Sequence, residues 1–406
     1  MSDEQGVAEN REPWELSEYE VDRLLATADD PRLRRMFGAD YDELRDLARE
    51  ALPATRRRDR GTVVFLPGIL GSSLGKPRAL FGNDTIWFDP VSIAMGDAPE
   101  LKLTESSPVK SLGIVPLKHN FIRFRLTIAG FRVLSFHYDW RRSIPELGKR
   151  LAEFIAADRA DEVMIVAHSM GGLVSRAALK AASPKVRKKI KRIVMLGTPN
   201  HGSFSPVQVL QGLNSTVQLI GKISRTDPVD LVKSTFSTFP SVYEMLPQPD
   251  VFDEFDLFDR QSWPTSPYRP TAARLKAAQE ARAGLADPDE RFRLIAGFGQ
   301  PTVTHLRRAE SGEFEYFKSD SGDGTVPLQM CELDEVPTRY AVSEHVDLLK
   351  HKEIAKAVID LLRTGETERL HERPEVSRKL GEWIEPEAFR TVVESRRAWT
   401  ADAIAP

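Results

Sequence analysis

The stretch VMIVAHSMGG, residues 163–172, decides how this chain folds. Its first four residues are apolar and two of three types among them favour strands, which suits a short buried strand. The run ends abruptly at Ala167-His168-Ser169-Met170-Gly171-Gly172, and a helix-compatible stretch follows over 173–182. Strand, tight turn and helix in that order lift the Ser169 hydroxyl off the end of a sheet. A base can then reach it from one side and a carbonyl carbon from the other. Strand and helix pass close together at such a turn, so small residues are needed beside the serine. Gly171 meets that need, and Ala167 stands where the commonest pattern has glycine. The bland alternative is a serine that merely opens a helix, so the reading needs support from elsewhere.

Two later segments give it. Ser321-Gly322-Asp323-Gly324-Thr325-Val326-Pro327 is a glycine-rich turn that holds a carboxylate, and Ser343-Glu344-His345-Val346-Asp347 holds a histidine. Serine, acid, histidine is the chain order of α/β-hydrolases and differs from the chymotrypsin and subtilisin orders. A serine hydroxyl is a weak nucleophile near neutral pH, so an imidazole must take its proton as it attacks. An acid then fixes the imidazole tautomer and stabilises the imidazolium. The expected roles are Ser169 as nucleophile, His345 as general base and acid, and Asp323 as orienter. Asp320 is the nearest rival acid, and it lacks the flanking glycines of a tight strand-end turn.

Upstream, residues 62–66 read as a buried strand that runs into Pro67-Gly68-Ile69-Leu70-Gly71-Ser72. A glycine-bearing loop after an early strand is where these folds place one oxyanion-hole amide, and the residue after the nucleophile gives the other. The expected donors are the backbone N–H groups of Ile69 and Met170.

Five segments together carry a family resemblance. Leu66-Pro67-Gly68-Ile69-Leu70-Gly71-Ser72, Tyr138-Asp139-Trp140-Arg141-Arg142, Ala167-His168-Ser169-Met170-Gly171, Leu196-Gly197-Thr198-Pro199 and Gly322-Asp323-Gly324-Thr325-Val326-Pro327 resemble the lecithin:cholesterol acyltransferase family. That family includes lysosomal phospholipase/transacylases and many bacterial members. GPI inositol deacylases share parts of the same pattern. The resemblance spans roughly residues 61–206 and 291–362. It implies an α/β-hydrolase that cleaves lipid esters through an acyl-serine and passes the acyl group to water or an alcohol. The secreted members carry disulfides, one of which pins a lid after the oxyanion loop. Here Cys331 is the single cysteine, so there is no internal disulfide. A lid over 75–116, which contains Thr85-Ile86-Trp87-Phe88, must then be held by packing alone. Leu70, Trp87, Trp140 and His201 are the weaker candidates for substrate contact. A structural role is the competing reading for Trp140 and His201, while His168 is expected to be structural and Asp139 with Arg141 to form an ion pair that buttresses the rim of the site.

Composition narrows the class. With 406 residues, a net charge of −3 and a pI near 6.3, the chain offers nothing that points to nucleic acid. No apolar run approaches the ~18 residues of a membrane span. The opening MSDEQGVAENREPWE lacks a basic n-region and an apolar core, so it does not read as a secretory signal. With one cysteine, a cytoplasmic location is expected. There is no phosphate loop, dinucleotide fingerprint or HExxH, so no cofactor and no metal are expected.

The expected fold is α/β: an α/β-hydrolase with a mostly parallel sheet, helices on both faces, cap and lid insertions, and an N-terminal helical extension. The expected organisation has five parts. Residues 1–60 form a disordered segment and helical extension, with Asp30-Pro31 as one helix start and Asp40 with Glu43 at capping-box spacing. Residues 61–200 begin the core, 201–290 form an aromatic-rich cap, 291–363 complete the core, and 364–406 form a charged tail of little content. The basic run 184–192 reads as a solvated loop at the amino ends of the sheet.

The leading expectation for function is a serine lipase or phospholipase-type acyl hydrolase, or a transacylase, acting on lipid esters with transient membrane-surface contact. Two rivals stand beside it. One is an esterase or thioesterase for soluble or protein-bound acyl groups. The other is a non-catalytic scaffold that binds a partner through its N-terminal helices.

Overall fold

The structure, a computed structural model, describes residues 11–55, 60–77, 83–375 and 381–394. The disorder expected at the extreme N-terminus falls on residues 1–10, which lie outside the described residues. Twelve strands run in chain order among the described residues: β1 Thr62–Leu66, β2 Ser72–Lys76, β3 Asp84–Trp87, β4 Lys110–Ile114, β5 Arg132–Ser135, β6 Val163–His168, β7 Ile190–Leu196, β8 Phe292–Phe298, β9 Thr302–Arg308, β10 Phe314–Ser319, β11 Thr338–Val342 and β12 Glu382–Ile384. Six of them form one sheet in the order β11-β8-β7-β6-β1-β5, with every pairing parallel. The chain has an α/β-hydrolase fold.

Why these strands sit centrally is written in their alternation. In β1, Val64 and Leu66 face one core while Val63 and Phe65 face the other, and all four are buried. A strand buried on both faces has no polar side to show water. The first core is closed by the helices Ile144–Ala157 and Met170–Ala181, through Leu147, Leu151, Leu173 and Ala177. These helices touch at Gly148, where a Cβ would lie 2.5 Å from the Cβ of Ala177, so only glycine permits the approach. The second core is closed by His119–Ile128 and Lys352–Arg363, through Ile122, Leu126, Ala357 and Val358. Carboxyl ends of parallel strands point one way, and loops leaving them gather at one edge.

Two insertions sit over that edge. The insertion expected over 75–116 starts earlier, at Ser72: β2, β3 and β4 form a small antiparallel sheet in the order β3-β2-β4, joined by the helix Pro90–Met95. Between β7 and β8 the cap is helical: Ser205–Leu210, Ser215–Ser224, Pro228–Ser234, Pro240–Glu244 and Ala272–Ala283. Its aromatics Phe236, Phe239, Tyr243, Phe252 and Trp263 are buried core.

The N-terminal helices Glu18–Thr27, Pro31–Phe37 and Tyr41–Ala54 pack Val21, Leu25, Leu44 and Ala48 against Phe121 and Phe124. Asp30 caps the second of them, accepting from the Arg32 and Leu33 N–H groups. Asp40 does not cap the third: its backbone is already helical, and its carboxylate instead binds Lys118 and Lys350. Long-range ion pairs here outcompete the local cap. The basic run is also not a plain loop. Residues Pro184–Lys189 form a helix capped by Ser183, whose hydroxyl accepts from the Val186 N–H, and β7 starts at Ile190. Beyond Gly365 the tail adds β12, which pairs antiparallel with β10 in a third sheet of order β12-β10-β9. Trp383 packs on Phe317 there, with the Arg307 guanidinium over its ring. Among the described residues no helix is long and apolar enough to cross a membrane.

Candidate active site

β6 ends at His168, and Ser169 sits at φ 53°, ψ −128°, a conformation rare for a residue with a side chain. Strain of this kind costs about 1–3 kcal/mol and persists only when surroundings fix it. The Ser169 N–H donates to Leu196 O at 2.9 Å, and the Gly172 N–H donates to Ser169 O at 3.0 Å. The loop after β1 presses against the serine. A Cβ on Gly68 would lie 2.8 Å from Ser169 Cβ and 3.3 Å from Ser169 Oγ. A Cβ on Gly171 would lie 2.6 Å from Pro67 O. Small residues at both places let strand end, loop and helix converge.

That loop is held from several sides. Tyr138 Oη donates to Pro67 O at 2.6 Å, and Trp87 Nε1 donates to Leu70 O at 2.8 Å. Leu70 itself has φ 64°. Ile69 lines a cavity together with Ser169, and Met170 is fully buried behind the serine at the helix start.

Asp323 and His345 meet as a buried pair. His345 Nδ1 donates to Asp323 Oδ2 at 2.7 Å, while Oδ1 accepts from the N–H groups of Thr325 (3.0 Å) and Val326 (2.7 Å). The His345 N–H donates to Asp323 O at 2.8 Å. Ring Nε2 of His345 is buried with no hydrogen-bond partner. Gly197 at the end of β7 backs the pair: a Cβ there would lie 3.0 Å from both Asp323 Oδ2 and His345 Nδ1. The rival Asp320 instead accepts from the Gly299 N–H through its backbone carbonyl.

A cavity of about 60 Å³ adjoins Ser169. Its walls include Leu70 and Trp140, with Val209, Val217, Phe236, Phe239, Val242 and Met245 from the cap. Trp140 is pinned in that wall, donating through Nε1 to Ser72 O at 2.9 Å, while its carbonyl accepts from Ser241 Oγ at 2.6 Å. Trp87 and His201 are placed elsewhere. Trp87 lies behind the loop, in the wall of a second cavity of about 40 Å³ with His119 and His168. His201 pairs through Nδ1 with Asp250 at 3.4 Å, and burial leads the influences that lower its pKa.

Two structural features complete the site, and the first is the Asp139–Arg141 ion pair expected from the sequence. Arg141 is fully buried, donating through Nε and Nη2 to both oxygens of Asp139 (2.8 Å each) and onward to Leu101 O and Val109 O. This pairing welds the small insertion sheet to the core. The other feature is a row of imidazoles: the ring of His168 lies 4.7 Å from that of His345 and 6.4 Å from that of His119. Burial depresses His119 to about 4 and His168 well below its ordinary value, so both are neutral near pH 7. Burial also drives the Cys331 thiol well up, which makes it inert. Among the described residues no cluster of side chains suits a metal ion.

Residues 128–273 match the model of the lecithin:cholesterol acyltransferase family. The chain is similar to that family. The matched segment carries the Tyr138–Arg142 motif, the serine turn and most of the cap. No curated protein matches the chain. Solved bacterial structures are similar to it. The mature Bacillus licheniformis lipase BlEst2 is 15% identical, with 74% of this chain and 91% of that one covered at a TM-score of 0.37. EstA from Clostridium botulinum is 12% identical over 75% and 86%, at 0.36. Staphylococcus hyicus lipase is 12% identical over 76% and 92%, at 0.29.

Proposed function

We propose that the protein is a serine acyl hydrolase or acyltransferase for lipid esters, with Ser169, His345 and Asp323 as its triad. The observation that carries this is the Asp323–His345 pair at 2.7 Å, which leaves Nε2 of His345 buried and unpartnered, together with a serine held at a strained turn after β6. With Nδ1–H committed to the carboxylate, Nε2 of the neutral ring is a lone-pair acceptor, as a general base requires.

In this reading Ser169 Oγ attacks the ester carbonyl carbon as its proton passes to His345 Nε2. The carbonyl oxygen becomes an oxyanion, held by the N–H groups of Ile69 and Met170. The intermediate collapses, the alkoxide leaves with the proton from His345, and the acyl group stays on Ser169. Water or an alcohol then attacks the acyl-serine, giving its proton to His345, and the acid or new ester departs as the proton returns to Ser169. Trp140, Leu70 and the cap aromatics form the apolar wall for the acyl chain. The single buried cysteine supports a cytoplasmic location, which fractionation of cells would test.

The test is product analysis by mass spectrometry after incubation with mixed phospholipid and neutral-ester vesicles, wild type beside Ser169→Ala. Fatty acid release or acyl transfer by the wild type alone is expected. Full ester hydrolysis by Ser169→Ala would overturn the proposal.

A further inference from the structure

His168 precedes the serine, and its side chain reaches the histidine of the proposed triad. Its ring Nε2 lies 3.0 Å from the backbone carbonyl oxygen of His345. A carbonyl only accepts, so Nε2 carries the proton, and in the neutral ring Nδ1 is left as an acceptor. Nδ1 is buried with no partner, and a Cβ on Gly68 would lie 3.3 Å from it. His168 is 2% exposed, and the two rings are 4.7 Å apart at 45°.

The consequence is geometric. His345 lies in a connecting segment after β11, not on a strand or a long helix. Segments of this kind place their side chains only as well as their backbone is held. The His345 N–H is held by Asp323 O, and ring Nδ1 by Asp323 Oδ2. Both ties run to one residue, which would let the histidine swing about it. The tie from His168 to the His345 carbonyl comes from β6, the central strand that also carries Ser169. It fixes base and nucleophile to one rigid element.

We propose that His168 is a positioning residue, which holds the backbone of His345 so that its Nε2 stays aligned with Ser169. This rests on the triad reading above. The role needs a neutral ring, because a charge on His168 would oppose the imidazolium that forms on His345 during each turnover. The surroundings fit. The titratable groups that face His168 are His345 and, from the helix His119–Ile128, His119, and among the described residues no carboxylate pairs with it. Those that face His345 are Asp323 and His168. Burial first, then the proximity of two other imidazoles, disfavours protonation of His168.

His168→Leu removes the donor and His168→Gln restores one at similar reach. With p-nitrophenyl butyrate, His168→Leu is expected to lower kcat by about 10- to 100-fold, as ångström-scale misplacement does. KM should stay within about twofold, since the interaction matters only when the proton moves. The rate of fluorophosphonate labelling should fall in step, the acidic limb of the kcat/KM profile should shift, and His168→Gln should recover most of the loss. Wild-type turnover and pH profile in a folded His168→Leu protein, or equal losses in the Leu and Gln variants, would overturn the role. If His168→Leu does not fold, His168→Asn takes its place, because its amide nitrogen falls short of the carbonyl. Asn and Gln variants of equal activity would then sink the idea. Ser169→Ala separates the two readings: an active Ser169→Ala protein defeats the triad itself, whereas an inactive one beside unaffected His168 variants defeats only the positioning role.

Discussion

Trp87 at the end of β3 donates its indole N–H to Leu70 O at 2.8 Å, tying the 75–116 insertion to the loop that faces Ser169. The bond joins a fully buried ring to a residue at φ 64°. Trp87→Phe keeps an aromatic ring and removes the donor. It should lower stability by about 2 kcal/mol in denaturant unfolding, from lost packing and an unpaired carbonyl. Turnover should fall about tenfold with KM held, because the loop matters most when the oxyanion forms. Unchanged turnover would show that the loop keeps its shape without this tie.

Asp323 offers a sharper test. Asp323→Asn keeps an oxygen for the Thr325 and Val326 N–H groups, but presents an amide to His345 Nδ1. The imidazole must then take the other tautomer, with Nε2 protonated. A loss of kcat of about 10⁴ is expected for a triad, measured on a soluble ester with folding checked by circular dichroism. A loss below tenfold would remove Asp323 from the reaction.

Gly68→Ala tests contact rather than chemistry. The new methyl would sit 2.8 Å from Ser169 Cβ, so loop or serine must shift. Turnover about 10² lower is expected, the scale of losing one oxyanion donor, and the protein should remain folded. Wild-type kinetics would mean that the loop can retreat without consequence.

Glu244 makes stability depend on pH. Burial raises its pKa from 4.5 to about 7, and Oε2 accepts from the Ile144 N–H at 2.6 Å. A raised carboxyl pKa means that the folded state binds more protons than the unfolded state between pH 4.5 and about 7. Stability therefore falls as pH rises through that window, by on the order of 3 kcal/mol in total. Glu244→Gln keeps an acceptor for Ile144 and cannot ionise, so urea midpoints across this range should lose that slope. An unchanged slope would assign it to other groups.

Val91 and Met95, one helical turn apart on Pro90–Met95, are 55% and 77% exposed. Their helix packs beside Ser215–Ser224, whose Val217 lines the cavity next to Ser169. If the insertion meets a lipid surface, Met95→Asp forfeits the burial of one apolar side chain, about 1.5–3 kcal/mol. Hydrolysis of vesicle substrate should drop about tenfold or more while a monomeric ester is turned over normally. Equal effects on both substrates would place lipid contact elsewhere.

Local chemistry makes part of this legible in the sequence. The parallel sheet follows from the alternation of apolar runs and amphipathic helices, and β1, β6, β7 and β8 fall where those runs lie. The Asp323–His345 pair is signalled by glycines that only a tight turn needs. Side-chain direction is a different matter. Trp87 and His201 sit in suitable segments, yet packing turns Trp87 behind the loop and draws His201 to Asp250. Asp40 has the spacing of a cap, but Lys118 and Lys350 claim it, and no local pattern announces a partner 310 positions away. β12 is three residues in a charged tail, a strand only because β10 has an open edge. His168 could have been found: a bulky polar side chain at the end of a central buried strand needs a partner, and the nearest loops are those of Asp323 and His345.

The Asp40 bridge to Lys350 also sets an order of events. The N-terminal helices leave the ribosome ahead of the sheet, yet their apolar face packs on the helix His119–Ile128 and their ion pair waits for Lys350. Contacts of such long sequence separation form late, because the intervening loop must close first. Val21, Leu25 and Leu44 can pack among their own helices early, but the bridge from Asp40 must wait until Lys350 has been made. A nascent chain therefore carries these helices without their final clasp until the last core helix emerges.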